Sequence, residues 1–339
     1  MRDSSAAEHW THNPGVGDAT SSPATKYMKF ISISMIKDEC DIIELFIRIN
    51  SRVIDHFFIV DNGSTDNTIK IIDNLKKEGF KITVYFDPNP DYQQSAIVTR
   101  ALKSATNSVD FDWAFLLDAD EFLNIPKLEL EKELSTIPKN VVPALRWTPW
   151  FPKGDVYYNY DNPLWSAFEK NSAKADNFDQ KIIVSKNMAK YLTIEVGNHR
   201  ANYNGNKVNH QILKCGELDH VPVRSSSQIV LKMFLGSIKQ KLKRNRGINE
   251  SWHWSFASDF IKNKNYSIDG ICLRYIAIMC YGVNTGFDNK IMKVVDEVDH
   301  EAKLGLETDV IKYKDLSRVN ERITTFAFIS TLADRIGKF

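Results

Sequence analysis

The sequence predicts an α/β fold with a mostly parallel central sheet, and three observations lead to this prediction. Short apolar runs alternate with helix-like segments from residue 28 to residue 124. Each repeat has the length of a strand–helix–strand unit, which joins parallel strands by a right-handed crossover. Acidic clusters follow two of the apolar runs, at the strand ends where sheets of this kind bind ligands.

Four apolar runs predict the strands of this sheet. Each run is short and nearly continuous, which is typical of a strand that is buried on both faces. The segment Asp87–Pro90 ends the third run, because its two prolines cannot continue a strand. The predicted strands are Phe30–Ile36, His56–Val60, Ile82–Phe86 and Trp113–Leu117.

Three segments between these runs have helical periodicity. In the first, Ile42, Leu45 and Ile49 fall on one face, as expected of an amphipathic helix. Gly79 ends the second, since glycine readily adopts the backbone conformation that follows a helix. The predicted helices are Asp41–Asn50, Asn67–Glu78 and Gln93–Ala105.

The rest of the chain changes character twice. Residues 125–224 have a β-like pattern rich in aromatic side chains, and residues 225–339 have helical periodicity. Residues 1–27 are rich in Ser, Ala, Thr, Pro and Gly, which predicts a flexible tail. We therefore expect an α/β domain over 28–224, with halves 28–124 and 125–224, and a helical C-terminal region over 225–339. Beyond residue 267, helices are predicted near 268–282, 289–304 and 315–336.

Composition narrows the function classes. The chain has 339 residues and a net charge of +1, so it lacks the basic excess of a dedicated nucleic-acid-binding protein. Its four cysteines are widely spaced without a C-x-x-C pair, which argues against a disulfide framework or a zinc–thiolate site and favours a reducing compartment. We find neither a long apolar run nor a signal-peptide pattern, and we therefore expect a cytoplasmic location.

The strongest local signal is Asp118-Ala119-Asp120, which follows the fourth apolar run. Two carboxylates at this spacing can reach one hard divalent cation, and Mg2+ or Mn2+ also binds diphosphate oxygens. A plain acidic turn is the alternative. The location at a sheet rim favours a metal site with Asp118 and Asp120 as ligands.

A second polar turn, Asp61–Asp66, follows the second strand. A carboxylate at this place can accept a hydrogen bond from a nucleobase imide or a ribose hydroxyl, and Gly63 permits close backbone approach. In the alternative interpretation the turn serves only to start the next helix. We expect Asp66 to cap that helix and Asp61 to bind a ligand.

Taken together, these segments resemble the inverting glycosyltransferases of family 2, which have the GT-A fold. The resemblance covers residues 29–124 well and continues more loosely through Gly197–His199 and Asp219–Ser225, which look like a bacterial subgroup. One departure is Asn62, where many members have a second Asp. The segments that carry the resemblance are Met35–Glu39, Ile59–Asp66 and Trp113–Phe122.

The resemblance implies a nucleotide-diphospho-sugar donor, a Mn2+ or Mg2+ cofactor and inverting transfer to a carbohydrate or lipid-linked saccharide. It implies that Asp118 or Asp120 joins the metal to the diphosphate, with His220 as a further ligand. Arg224 would bind phosphate in a fork geometry, unless a carboxylate pairs with it. The implied setting is bacterial capsule, lipopolysaccharide or exopolysaccharide assembly at the inner face of the membrane. The implied donor-binding residues are Asp38, Glu39, Asp61, Arg100, Asp118 and Arg224.

Inversion requires a general base that deprotonates the acceptor hydroxyl, and the sequence leaves its identity open. Glu169 follows an aromatic loop that would desolvate it and raise its pKa. His199 is a second candidate, as an acid/base group that faces the acceptor. We expect the base to be Glu169 or His199. The other carboxylates that remain open are Glu121, Asp176 and Asp179.

A basic stretch, residues 232–246, contains six Lys and Arg residues and no acid. Lys232, Lys239 and Lys243 fall close to one helical stripe, so the helix would rest on an anionic membrane surface. A solvated face over a packed helix is the equal alternative. The neighbouring aromatic side chains would stack on sugar rings or headgroups, or belong to a core: Trp252, Trp254 and Phe256.

Two other functions stay open. A sugar-nucleotide nucleotidyltransferase also places metal-binding carboxylates at a sheet rim, but such enzymes usually have a glycine-rich loop after the first strand, and Met35–Glu39 has no glycine. A catalytically inactive binding or scaffold domain is the second. The intact Asp118-Ala119-Asp120 argues against a loss of activity.

Overall fold

The fold was analysed in a computed structural model of the chain. The residues that it describes are 27–88, 93–138, 140–153, 168–171, 180–242, 252–265, 267–281, 298–299 and 311–316. The predicted flexible tail lies outside these residues except for Tyr27, and the predicted domain boundaries stay predictions.

Strands and helices alternate through the first half of the chain. In the second half, most of the strands come before the last three helices. The strands are β1 (Phe30–Ile36), β2 (His56–Asp61), β3 (Ile82–Phe86), β4 (Trp113–Leu116), β5 (Glu121–Asn124), β6 (Val142–Pro152), β7 (Phe168–Asn171), β8 (Gln180–Ser185), β9 (Leu192–Ile194), β10 (Ala201–Tyr203), β11 (Asn206–Lys207), β12 (His210–Ile212), β13 (Glu217–His220) and β14 (Val298–Asp299). The helices are α1 (Ile43–Asn50), α2 (Thr68–Lys77), α3 (Gln94–Ser108), α4 (Lys127–Thr136), α5 (Lys186–Ala189), α6 (Ser226–Leu242), α7 (Trp252–Asn263) and α8 (Gly270–Tyr281).

The central sheet has the strand order β14-β7-β6-β8-β4-β1-β2-β3. Strands β4, β1, β2 and β3 are parallel, which confirms the prediction for the first half of the chain. The sheet continues with antiparallel neighbours, since β8 runs against β4 and β6 runs against β8. Beside this path, β13 pairs with both β5 and β6. The whole is the mixed, mostly parallel α/β arrangement of a GT-A fold.

The register brings the two acidic turns to one rim of the sheet. Ile36 at the end of β1 lies opposite Asp61 at the end of β2. On the other side of β1, Ile33 lies opposite Leu116 at the end of β4. The loops that follow β1, β2 and β4 therefore leave the sheet side by side, as the sequence predicted.

Alternate residues of the strands supply two hydrophobic cores, one on each face of the sheet. Phe30 and Phe115 belong to the core that α1 and α2 cover. Ile31 and Leu116 belong to the core that α3 covers. This division follows from the period of two along a strand, and it fixes which face each loop residue approaches.

The C-terminal helices α6, α7 and α8 form a third core that packs on the sheet through Phe151 of β6. Gly236 of α6 lets α7 approach, because a Cβ there would lie 2.4 Å from the ring of Trp254. Trp254 and Phe256 pack against this core. Of the alternatives left open for these two aromatic side chains, the core interpretation is therefore the one that the structure bears out.

Two sequence predictions for the C-terminal half need comment. The helix predicted near 268–282 is confirmed as α8, but the helix predicted over 289–304 is wrong at Val298–Asp299, where the backbone pairs with β7. Most of the stretch 315–336 lies outside the described residues. Within the part of the chain that is described, no helix is both long and apolar enough to span a bilayer.

Candidate active site

The loops after β1 and β2 are bound to each other at the rim of the sheet. Asp38 has a positive φ of 54°, and its Oδ1 accepts a hydrogen bond of 2.6 Å from the amide of Thr65. The Asp38 amide donates to Oγ of Ser64 at 3.0 Å. Nζ of Lys37 donates to the carbonyl oxygen of Asn62 at 3.2 Å. The predicted donor-binding residue Asp38 thus holds the second loop in place.

Asp61, the predicted ligand for a base or ribose, closes its own turn. Its Oδ1 accepts hydrogen bonds from the amide and the hydroxyl of Ser64 at 3.0 and 2.5 Å. Asp66 behaves as predicted, since Oδ1 accepts the amide of Thr68, the first residue of α2, at 2.9 Å. Its Oδ2 also accepts the amide of Cys40 at 3.1 Å, which ties this turn to the loop after β1.

Asp118, the first carboxylate of the acidic loop, is paired with a buried lysine. Nζ of Lys181, on β8, lies 2.5 Å from Oδ2 of Asp118 and 3.1 Å from Oε1 of Glu121. Glu121 also accepts hydrogen bonds from Nε1 of Trp147 at 2.7 Å and from the amide of Asp118 at 2.9 Å. Burial raises the pKa of Glu121 to about 8 although Lys181 lowers it. Because Glu121 is fully buried, it cannot meet an acceptor hydroxyl, and we set it aside as a base.

Asp120, the second carboxylate, is buried among three nitrogen groups. Nζ of Lys232 lies 2.8 Å from its Oδ2, and Nη1 of Arg224 lies 3.6 Å from the same atom. Nε2 of His220 lies 3.6 Å from Oδ1. Burial pushes the pKa of Asp120 upward, but the positive charges beside it, first of all the ammonium of Lys232, hold this pKa well below its usual range. Asp120 is therefore ionised.

Arg224 binds two carboxylates of the loop after β1 rather than standing ready for a phosphate. Its Nε and Nη2 donate to Asp41 at 2.7 and 3.0 Å, and Nη2 also donates to Glu39 at 2.7 Å. The arginine is 1% exposed. The predicted phosphate contact of Arg224 is thus replaced by buried ion pairs, the alternative that the sequence had left open. Burial raises the pKa of Glu39 to about 7 against the opposing effect of Arg224.

His199 and His220 lie on two sides of one tryptophan. The ring of Trp147 stacks on His220 at 4.2 Å between centroids and meets His199 edge-on at 5.0 Å. Nδ1 of His199 lies 2.7 Å from the carbonyl oxygen of Gln180. A carbonyl only accepts, so Nδ1 carries the proton and Nε2 is the basic nitrogen. Gly197 is required beside it, because a Cβ there would lie 2.4 Å from the His199 ring.

Two predicted site residues have other partners. Nη1 of Arg274, on α8, donates to Oε2 of Glu169 at 2.6 Å, so the candidate base Glu169 joins β7 to a helix. Arg100 is an exposed side chain that pairs with Asp87 rather than with the acidic loop. The two remaining carboxylate candidates, Asp176 and Asp179, lie outside the described residues.

Sequence reasoning missed several residues of this site. Lys181 had a signal, because it is the one charged residue of β8 and precedes an apolar run, and a lysine is rarely buried without a partner. Asn198 lies in the segment Gly197–His199 that continues the resemblance, but the sequence assigned it no role. Its Nδ2 lies 3.5 Å from Oδ1 of Asp118, and its own Oδ1 is buried without a hydrogen-bond partner.

Two of the three predicted metal ligands lie close enough together to hold one divalent cation. Oδ1 of Asp120 and Nε2 of His220 are 3.6 Å apart, which one cation can bridge. Burial lowers the pKa of His220, so the imidazole is in the neutral form that binds metals. Asp118 is instead held by Lys181, and among the described residues no cluster of three His, Cys, Asp or Glu side chains is arranged to hold a metal. The pair fits Mg2+ or Mn2+, whose other positions are commonly filled by phosphate oxygens.

The comparison with known families gives one match. Residues 46–186 match the sequence profile described as Glycosyl transferase family 2. The match includes the acidic loop after β4 and ends before His199, His220 and Arg224. No curated protein sequence matches the chain.

Several solved structures are similar at low sequence identity. A structure of S. aureus TarS 1-349 is 14% identical, with 71% of this chain and 73% of that chain covered and a TM-score of 0.37. Mannosyltransferase PcManGT from Pyrobaculum calidifontis, in complex with GDP-Man and Mn2+, is 10% identical over 91% and 87%, with a TM-score of 0.35. Glucosyl-3-phosphoglycerate synthase from Mycobacterium tuberculosis is 17% identical over 41% and 50%, with a TM-score of 0.25. Likenesses this distant transfer neither a substrate nor a residue role.

Proposed function

We propose that this chain, whose residues 46–186 match the profile of glycosyl transferase family 2, moves a sugar from a nucleoside-diphosphate donor to a hydroxyl of a saccharide or lipid-linked acceptor, with inversion. The observation that carries the proposal is the buried charge cluster at the sheet rim. There, Asp120 and His220 lie 3.6 Å apart and would hold a cation, and the cationic side chains of Arg224 and Lys232 lie beside Asp120. Lys181 pairs with the neighbouring Asp118. Such a cluster can stabilise the charge of a departing diphosphate.

The donor side of the site would use the rim loops. Asp120 and His220 would hold a Mn2+ or Mg2+ ion, which when bound neutralises the diphosphate as it leaves. Asp118 stands at the mouth of the cluster, with its side chain 30% exposed, and would bind the donor beside that ion. Asp61 and Asp38 would shape the loop that receives the nucleoside, since each braces the turn of Ser64 and Thr65.

We propose His199 as the general base. The hydrogen bond from its Nδ1 to the Gln180 carbonyl orients the ring and sets Nε2 as the proton acceptor. The contact of Asn198 with Asp118 keeps His199 close to the donor side of the site. In the reaction, the acceptor oxygen would pass its proton to Nε2 as it attacks the anomeric carbon from the face opposite the leaving diphosphate.

The acceptor and the cellular setting are also proposals. We propose synthesis of a bacterial surface polysaccharide at the inner face of the cytoplasmic membrane. The basic helix α6 gives less support to a membrane location than its sequence suggested. Lys232 binds Asp120 instead of facing a membrane together with the other lysines of the stripe. The rest of the basic stretch beyond Leu242 lies outside the described residues.

The proposal is tested by thermal unfolding with UDP, GDP, CDP, CMP or ADP, each with and without Mn2+. A ligand at about 100 times its Kd adds roughly 2.7 kcal/mol of stability. We expect one diphosphate to raise the Tm only with Mn2+, and Asp120→Asn to abolish the shift. Asp73→Asn, at an exposed position on α2, is the matched control and should keep it.

The base is tested in the same preparation with sugar derivatives of the nucleoside diphosphate that the first experiment identifies. His199→Gln should leave the nucleotide-induced Tm shift intact and lower kcat by about 100-fold or more. If no diphosphate stabilises the wild-type protein, the donor site is wrong. Metal-dependent nucleotide binding without hydrolysis or transfer to any acceptor would instead support the inactive binding domain.

A further inference from the structure

Lys232 has the most exposed side chain of the three nitrogen groups around Asp120. Its Nζ lies 2.8 Å from Oδ2 of Asp120, and its side chain is 30% exposed while that of Asp120 is 4% exposed. Lys232 therefore stands between Asp120 and solvent. It is carried on the second turn of α6, six residues after the start of that helix.

The other nitrogen groups around Asp120 are fixed. Arg224 has a 1% exposed side chain, and its Nε and Nη2 bind Asp41 and Glu39. His220 has a 4% exposed side chain and stacks on Trp147. Lys232 has a flexible four-carbon stem, and the hydrogen bond described for it is the one to Asp120. Lys232 can therefore leave Asp120 by breaking one hydrogen bond, whereas Arg224 and His220 would also have to leave their other partners.

We propose that Lys232 binds the diphosphate of the donor, and that in the ligand-free chain its ammonium occupies Asp120 in place of the divalent cation. This inference rests on the proposed function, since it requires a donor diphosphate at this site. A cation held by Oδ1 of Asp120 and Nε2 of His220 would place a charge of the same sign close to the ammonium of Lys232, which lies on Oδ2. Lys232 would then exchange the neutralised carboxylate for the diphosphate.

The distances allow this exchange. A divalent cation of this kind binds oxygen at about 2.0–2.1 Å, so phosphate oxygens on an ion held by Oδ1 would lie within about 4 Å of that atom. Lys232 already lies 2.8 Å from Oδ2 of the same carboxylate. Its ammonium therefore needs only a change of rotamer to meet the diphosphate. The exchange keeps the buried carboxylate neutralised both before and after the donor binds, which avoids the cost of an unpaired buried charge.

The exchange predicts opposite effects on two ligands, which an ordinary structural lysine would not produce. In Lys232→Met, Mn2+ alone should bind about five-fold more tightly, because the competing ammonium is gone. Binding of the nucleoside diphosphate in saturating Mn2+ should weaken about ten-fold or more, because a charge-assisted hydrogen bond is lost. Mn2+ binding is followed by the paramagnetic resonance signal of the free ion, and nucleotide binding by calorimetry.

Controls separate this inference from the proposed function. Lys77→Met, on the exposed face of α2, should bind both ligands as the wild type does. Lys232→Gln, which keeps a hydrogen-bond donor for Asp120, is the second variant if the first unfolds. A wild-type protein that binds no diphosphate overturns the proposed function. The exchange is overturned if the wild-type protein binds the diphosphate but the Lys232 variants bind Mn2+, without nucleotide, no more tightly than the wild type does.

Discussion

The ammonium group of Lys181 lies 2.5 Å from Oδ2 of Asp118, so a buried lysine of β8 holds the first carboxylate of the acidic loop. The same ammonium reaches Glu121 at 3.1 Å. The loop after β4 is therefore fixed from the antiparallel half of the sheet, which the parallel half alone could not do.

Replacing Lys181 by Met should destabilise the protein strongly. The change leaves Asp118 and the buried Glu121 without their cation, and breaking one side of a buried ion pair costs about 3–5 kcal/mol. Urea unfolding measures the loss. Lys186→Met is the matched control, because its partner Asp110 is exposed and such pairs contribute less than about 1 kcal/mol. Equal losses in the two variants would contradict a structural ion pair at Lys181.

Arg224→Lys should destabilise the protein although it keeps the charge. A lysine cannot present the planar fork that Arg224 uses toward Asp41 and Glu39, so one buried carboxylate is left unsatisfied. We expect a loss of about 2–4 kcal/mol in the free energy of unfolding. Arg52→Lys, at an exposed position, should change it by less than about 0.5 kcal/mol. A stable Arg224→Lys protein with weakened nucleotide binding would instead restore the phosphate contact predicted from sequence.

Glu169→Gln should leave turnover nearly unchanged. The carboxylate is 2.6 Å from Nη1 of Arg274, so it is engaged in an ion pair at a strand–helix contact. Steady-state assays should show kcat within about three-fold of the wild type and a lower Tm, since the partly buried guanidinium loses its counter-ion. A fall of about 100-fold or more in kcat at an unchanged Tm would make Glu169 the base and displace His199.

Local pattern was enough to predict the parallel half of the fold. Runs such as Phe30–Ile36 and Ile82–Phe86 were predicted with the bounds that the structure has, because a buried strand is a continuous apolar run. The common rim of the two acidic turns followed from topology alone. Strand β5 and helix α4 escaped notice, since the first has four residues and the second lies within residues 125–224, whose pattern was predicted to be β-like.

The roles of the charged residues depended on partners distant in sequence. Arg224 binds Glu39 across 185 residues, and Lys232 reaches Asp120 across 112. A helical stripe of lysines looks the same whether it faces a membrane, solvent or a carboxylate, so Lys232 was assigned to the wrong surface. Lys181 was missed for the same reason, because its partner Asp118 lies 63 residues away.

The stability of the protein should fall in acid partly because of Glu78. Both terminal nitrogens of Arg48 donate to this carboxylate at 2.8 Å, and Nζ of Lys312 lies 3.0 Å from it. The hydrogen bonds from Arg48 are the main reason that the pKa of Glu78 falls from 4.5 to about 2. A carboxylate with a depressed pKa stabilises the folded state above its unfolded pKa, and this contribution disappears as the pH falls through the folded value.

Urea unfolding of the wild type and Glu78→Gln at a series of pH values measures this contribution. The side chain is 21% exposed, so solvent screening limits the difference in unfolding free energy to about 1 kcal/mol near neutral pH. The difference should shrink steadily below pH 4.5 and be nearly gone at about pH 2. Asp73 is exposed, and its ion pair with Lys76 is long at 3.7 Å. Asp73→Asn should therefore change the unfolding free energy with pH much less than Glu78→Gln does. A gap between wild type and Glu78→Gln that stays constant with pH would mean that packing of the Glu78 side chain, rather than its charge, ties residues 311–316 to α1 and α2.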